Sequence, residues 1–151
     1  MITVRIEFLV GECNGTMGIS ISNHRISQSF TTRYDYVQSS QPNELLPGLH
    51  VRTFEVTEHT TISIKCFGKN PKKDTKLDNN GIIIGDKFID IRSITVDGMK
   101  FERFHLYHPD LLGETYFYRD GRLDLKLPSE DNLLYWYLSI IEDHFTEKYK
   151  K

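Results

Sequence analysis

Apolar residues recur at every second position through most of this chain, and the period lengthens only after Pro128. The first residues set the pattern: Ile2, Val4, Ile6 and Phe8 alternate with Thr3, Arg5 and Glu7. Successive side chains of a strand point to opposite faces, so this spacing reads as a half-buried strand. Because a strand is read from the first residues, no signal peptide is expected. Met17, Ile19 and Ile21 repeat the pattern after a turn at residues 11–15. Residues 88–96 form the strongest strand, and their apolar phase slips between Ile89/Ile91 and Ile94/Val96, which predicts a bulge near Arg92 and Ser93.

Turn chemistry divides the pattern into short pieces. Asp97-Gly98 and Asp120-Gly121 each lie between residues of strand type and suit type I′ hairpins, which need positive φ at both central positions. Residues 51–57 and 60–67 read as an antiparallel pair around Glu58 and His59. Residues 31–48 read mostly as loop, and the polar, lysine-rich stretch 68–81 as a long exposed loop. After Pro128 the spacing becomes helical. Ser129 suits the N-cap and Glu130 and Asp131 the first turn. Leu134, Leu138, Ile141 and Phe145 follow at intervals of four, three and four, with Leu133, Tyr137 and Ile140 beside them, which predicts an amphipathic helix over 129–147. Roughly eight to ten short strands with frequent turns predict a mainly β fold, a jelly-roll-like β-sandwich with one C-terminal α-helix. No repeat and no linker divides residues 1–151, so a single domain is expected.

Composition agrees and excludes several classes. The 151 residues suit one domain that folds without a disulfide framework or metal. Alanine, the best helix former, is absent, while isoleucine, threonine, tyrosine and phenylalanine abound. A biased genome would leave the same mark, and the two causes are compatible. The net charge of -2 argues against a nucleic-acid binder, which usually carries a basic stripe. No stretch approaches the roughly 18 apolar residues of a membrane span. Cys13 sits in a turn and Cys66 alternates with Ile62 and Ile64, so reduced thiols are expected rather than a bridge.

Candidate chemistry is sparse. Asp74, Asp78, Asp86 and Asp90, with Asn79 and Asn80 between them, supply the oxygen ligands that Ca²⁺ takes, the first three being the candidate metal ligands, although the spacing is not that of an EF-hand and Lys72, Lys73 and Lys76 dilute the field. A solvated turn is the competing reading, and no cofactor is the expectation. His105 and His108 would face opposite sides of an extended segment. No nucleophile elbow, phosphate loop or zinc-protease motif occurs, so no enzyme is expected. Tyr116, Tyr118, Trp136 and Tyr137 are the candidate binding residues, because exposed rings stack on sugars and anchor protein interfaces. The competing reading has them filling the contact between helix and sheet.

Two resemblances rest on particular segments. Asp86-Lys87-Phe88-Ile89-Asp90-Ile91-Arg92-Ser93-Ile94-Thr95-Val96-Asp97-Gly98, preceded by the Asp74-Thr75-Lys76 loop, resembles small virion-type proteins of marine tailed phages. In those, a Lys/Asp-rich loop leads into a strand ending I-x-I-D-G-I. The stretch from Gly113 to Leu125, followed by Pro128 and the Tyr135-Trp136-Tyr137-Leu138 helix, is similar to their G-x-W-x-x-N-G-x-x-x-L element. Here Tyr118 stands for the tryptophan and Asp120 for the asparagine. A strand of the D-x-I-x-V-x-G type within the first segment also resembles jelly-roll carbohydrate-binding modules of the calcium-dependent, xylan-binding kind. The first resemblance implies a non-enzymatic virion component, made in the host cytoplasm and held by other virion proteins in a multi-copy symmetric assembly, without nucleic acid or membrane. The second implies the alternative, a module that recognises host surface glycans.

Overall fold

A computed structural model describes residues 1–11, 17–23, 30–33, 48–102, 111–113 and 116–149. The elements run β1 (Ile2–Gly11), β2 (Gly18–Asn23), β3 (Phe30–Arg33), β4 (Leu49–Val56), β5 (Thr61–Phe67), the single helical turn α1 (Pro71–Asp74), β6 (Thr75–Leu77), β7 (Ile83–Asp86), β8 (Phe88–Val96), β9 (Met99–Glu102), β10 (Leu111–Gly113), β11 (Tyr116–Phe117), β12 (Gly121–Lys126) and α2 (Leu133–Tyr149). One antiparallel sheet has the order β11-β8-β1-β4, with β9 also on β8; the other has the order β10-β12-β5-β2-β3. Side chains from both sheets share one core, so the fold is a β-sandwich with a C-terminal helix, as the alternation predicts.

Alternation decides what the sandwich encloses. Ile2, Val4, Ile6, Phe8 and Val10 on β1 are fully buried, and Ile19, Ile21, Ile62, Ile64, Cys66, Leu123 and Leu125 meet them from the second sheet. Each such side chain contributes roughly 1.5–3 kcal/mol of transfer free energy. The expected bulge is present. Glu7 pairs with Ser93 and Phe8 with Ile91, so Arg92 is the extra residue, and it points to solvent. Its insertion lets Ile89 and Ile91 as well as Ile94 and Val96 face the core. Asp97-Gly98 closes the β8–β9 hairpin with φ of 46° and 81°, as a type I′ turn requires. The Asp97 carboxylate accepts from the Thr3 N–H at 2.7 Å, and the Asp97 N–H donates to the Thr3 carbonyl at 2.8 Å, which fastens the turn to β1.

Four local expectations fail, each because tertiary pairing overrides a local signal. β4 pairs with β1, whereas β5 pairs with β2 and β12, so the two strands lie in different sheets. His59, at φ 56°, turns the chain from one sheet to the other. Asp120-Gly121 likewise makes no hairpin: β11 pairs with β8 and β12 with β5, and neither residue has positive φ. The Asp120 carboxylate instead accepts the Lys69 N–H at 3.0 Å. The expected loop at 68–81 contains α1 and the start of a β6–β7 hairpin. Finally, only part of the expected helix face turns inward. Leu133 and Ile140 are buried and Trp136, Tyr137 and Ile141 pack beside them, while Leu134 and Leu138 are exposed. Ser129 holds the extended N-cap conformation without a side-chain cap, and a 3-10 turn at residues 130–132 precedes α2. Cys13, His105, His108 and the expected Phe145 contact lie outside what the structure describes.

Candidate functional site

β11 is two residues long, and its alternation sets one ring inside and one outside. Phe117 is fully buried and anchors the strand against Ile89, while Tyr116 points outward beside Asp90. Tyr116 stacks on Phe88 with centroids 5.0 Å apart and planes inclined by 27°. Tyr118, just past the strand, lies 6.2 Å from Tyr116, and the Arg119 guanidinium sits 5.4 Å above the Tyr118 ring. Both tyrosines are exposed, at 39% and 51%. The result is a ledge of Phe88, Tyr116 and Tyr118 along the margin of the first sheet. Flat faces on such a ledge pack against the C–H faces of a pyranose, and the phenol groups donate and accept beside them.

Gly11 supports the ledge from below. A Cβ added there would meet Phe88 Cζ at 2.4 Å and Cε1 at 2.6 Å. The glycine is needed for this close approach, since only a bare backbone lets the Phe88 ring lie flat enough to carry Tyr116. Neither Gly11 nor Phe88 stands out in sequence: a glycine at a strand end signals a turn, and Phe88 lies in a run of strand residues.

The four predicted aromatic residues therefore divide. Tyr116 and Tyr118 come together on the ledge. Trp136 and Tyr137 sit on α2 against Phe101 of β9, with centroid distances of 5.2 Å and 4.9 Å. The Tyr137 hydroxyl donates to the Lys100 carbonyl at 2.9 Å, so this ring joins helix to sheet.

The three predicted carboxylates lie around the β6–β7 hairpin, each engaged by the protein. Asp74 is fully buried, and its Oδ2 accepts the Asn70 N–H at 2.8 Å. Asp78 Oδ1 accepts the N–H groups of Asn80 and Ile82 at 2.8 Å and 2.9 Å, which shapes the hairpin turn. Asp86 Oδ1 takes the Lys69 ammonium and the Thr75 hydroxyl, both at 2.7 Å. Lys69 also donates to the Lys87 carbonyl. Among the described residues, no three His, Cys, Asp or Glu side chains gather as a metal site would require. Burial pushes the Cys66 thiol far above its usual range, with the Asp120 charge adding to the effect, so this sulfur stays protonated and inert.

Together these features define a β-sandwich with an outward aromatic ledge at one sheet margin. Its likeness among solved structures is to vCBM60, described as one of two families of calcium-dependent carbohydrate-binding modules linked by circular permutation. The match has a TM-score of 0.50 and 8% identity, and it covers 84% of this chain and 92% of that one. By sequence the chain matches no protein family and no curated protein.

Calcium is the metal such a likeness brings to mind, and Asp74, Asp78 and Asp86 do not fit it. A Ca²⁺ ion needs six to eight converging oxygens. Here the Lys69 ammonium already occupies Asp86 Oδ1 and the Lys87 carbonyl. Millimolar Ca²⁺ should accordingly leave the melting temperature unchanged, whereas an ion held at 100 times its Kd would add about 2.7 kcal/mol. Differential scanning calorimetry with and without a chelator checks this.

Proposed function

We propose that this chain is a non-catalytic glycan-binding domain whose ligand lies along the Phe88–Tyr116–Tyr118 ledge. The observation that carries the reading is the pair of exposed tyrosine rings built onto a sheet margin, one of them backed by Phe88 and Gly11. Exposed rings that are already held in place bind with little ordering cost, which is how a shallow surface gains affinity for a sugar chain. The sandwich likeness to a carbohydrate-binding module supports the same reading.

Affinity electrophoresis through gels containing a panel of polysaccharides tests it. At least one polysaccharide should retard the chain, and Tyr118→Ala should weaken that retardation by about 2 kcal/mol, roughly thirtyfold, as for truncation of a central aromatic anchor. A chain that no polysaccharide retards overturns the proposal.

A second reading, a structural component held by protein neighbours such as those of a tailed-phage particle, draws on one feature that suits any protein partner. The β6–β7 hairpin exposes Leu77, Ile82, Ile83 and Ile84, each by more than half. A two-stranded hairpin with apolar side chains outside is poorly suited to water and well suited to a protein neighbour. Recovery of the chain from purified phage particles would support this role, and a glycan-binding ledge at an exposed tip is compatible with it.

A further inference from the structure

Beyond the ledge, a cavity of about 270 Å³ opens where α2 crosses the end of the sandwich, lined by His59, Lys126, Leu127, Pro128 and Trp136. We propose that this cavity is a second binding site that takes a single uronic acid residue, an anionic pyranose, as its ligand. The class of ligand rests on the glycan-binding reading; the site itself does not involve the ledge residues.

The cavity is assembled from parts that are fixed independently of any ligand. Its loop wall is pinned twice: the His59 N–H donates to the Pro128 carbonyl at 3.2 Å, and the Leu127 N–H donates to the Thr60 carbonyl at 2.9 Å. Trp136 is held by the edge-on Phe101 ring, with planes at 78°. His59 keeps φ at 56°, in the left-handed region that an L residue enters at a tight turn, which fixes where its side chain leaves the backbone. Such backbone positions cluster where a side chain must be aimed for binding.

The lining chooses the ligand. Among the described residues it offers one large aromatic surface, two nitrogen-bearing side chains and no carboxylate. The nearest acids along the chain are engaged elsewhere: Glu58 accepts the Glu130 N–H at 2.8 Å, Asp124 takes the Arg122 guanidinium at 2.6 Å, and Glu130 meets the N-terminal ammonium at 3.4 Å. An indole suits the apolar face of a pyranose. A lysine ammonium suits a carboxylate, through a charge-assisted hydrogen bond, and His59 can donate to a ring hydroxyl. The volume is below that of pockets for extended drug-sized ligands, so it suits one sugar ring and not a chain.

The chain contains a single tryptophan, so one indole N–H resonance reports on this cavity alone. The test is an NMR titration of the ¹⁵N-labelled chain with a disaccharide ending in glucuronic acid and, in parallel, with the neutral disaccharide ending in glucose. The Trp136 indole peak should shift saturably with the first and not with the second. Lys126→Met should weaken the binding at least tenfold. His59→Gly should weaken it as well, while removing the backbone strain and so keeping the fold. Tyr118→Ala should leave it unchanged. An indole peak that does not move with the uronate, that moves equally with the neutral sugar, or that responds unchanged in Lys126→Met overturns the proposal. Failure of the ledge reading would show separately, as loss of polysaccharide retardation with the indole titration intact.

Discussion

Ile140→Asp lowers the stability of the folded chain by on the order of 4 kcal/mol, while Leu138→Asp changes it by less than about 0.5 kcal/mol. The two leucine-type positions lie two residues apart on one helix, and only their environments differ. Ile140 is 1% exposed inside the shared core, whereas Leu138 is 52% exposed. An aspartate at 140 would bury an unpaired charge; at 138 it would meet water. Urea titration followed by circular dichroism separates the two, and comparable losses in both variants would mean that α2 packs by a different face.

Phe101→Ala has the second large effect, about 3–5 kcal/mol, as for other buried Phe-to-Ala truncations. Phe101 is fully buried and is the ring on which both Trp136 and Tyr137 rest. Its loss combines a cavity with two broken aromatic contacts, each such pair worth about 0.5–1.5 kcal/mol beyond its area. The helix should loosen together with the sheet margin, so the tryptophan emission of the variant should shift to the red in the native state. A variant as stable as the parent, with unchanged emission, would show that α2 is held by Leu133 and Ile140 alone.

These residues also mark where sequence and structure part company. Strand identity was legible because one buried face imposes strict alternation: Ile2 to Val10 could face the core in only one phase. The bulge at Arg92 was legible for the same reason, since a phase slip has one cheap explanation. Sheet membership was not legible. A turn of the type around His59 or Asp120 ends a strand whether the next one pairs beside it or crosses to the opposite sheet, and local residues carry no record of that choice. The helix shows the same limit. Both the Leu134/Leu138 and the Leu133/Ile140 stripes satisfy helical spacing, and the tertiary core, with Phe101 against Trp136, selects between them. Of the candidate site, Tyr116 and Tyr118 were legible as rings late in the chain. Their support was not, because Phe88 and Gly11 are brought to them by sheet pairing from distant parts of the sequence.

On the proposed reading, the ledge binds glycan because its rings are held in place. Isothermal titration calorimetry tests it most directly, using oligosaccharides of whichever polysaccharide retards the chain most, against the parent, Tyr118→Ala and Gly11→Ala. The added methyl group of Gly11→Ala must push the Phe88 ring aside, which withdraws support from Tyr116 without touching an exposed residue. Both variants should bind at least roughly tenfold more weakly, with melting temperatures within a few degrees of the parent. Parent-like affinity in both variants would mean that the ledge is not the glycan site.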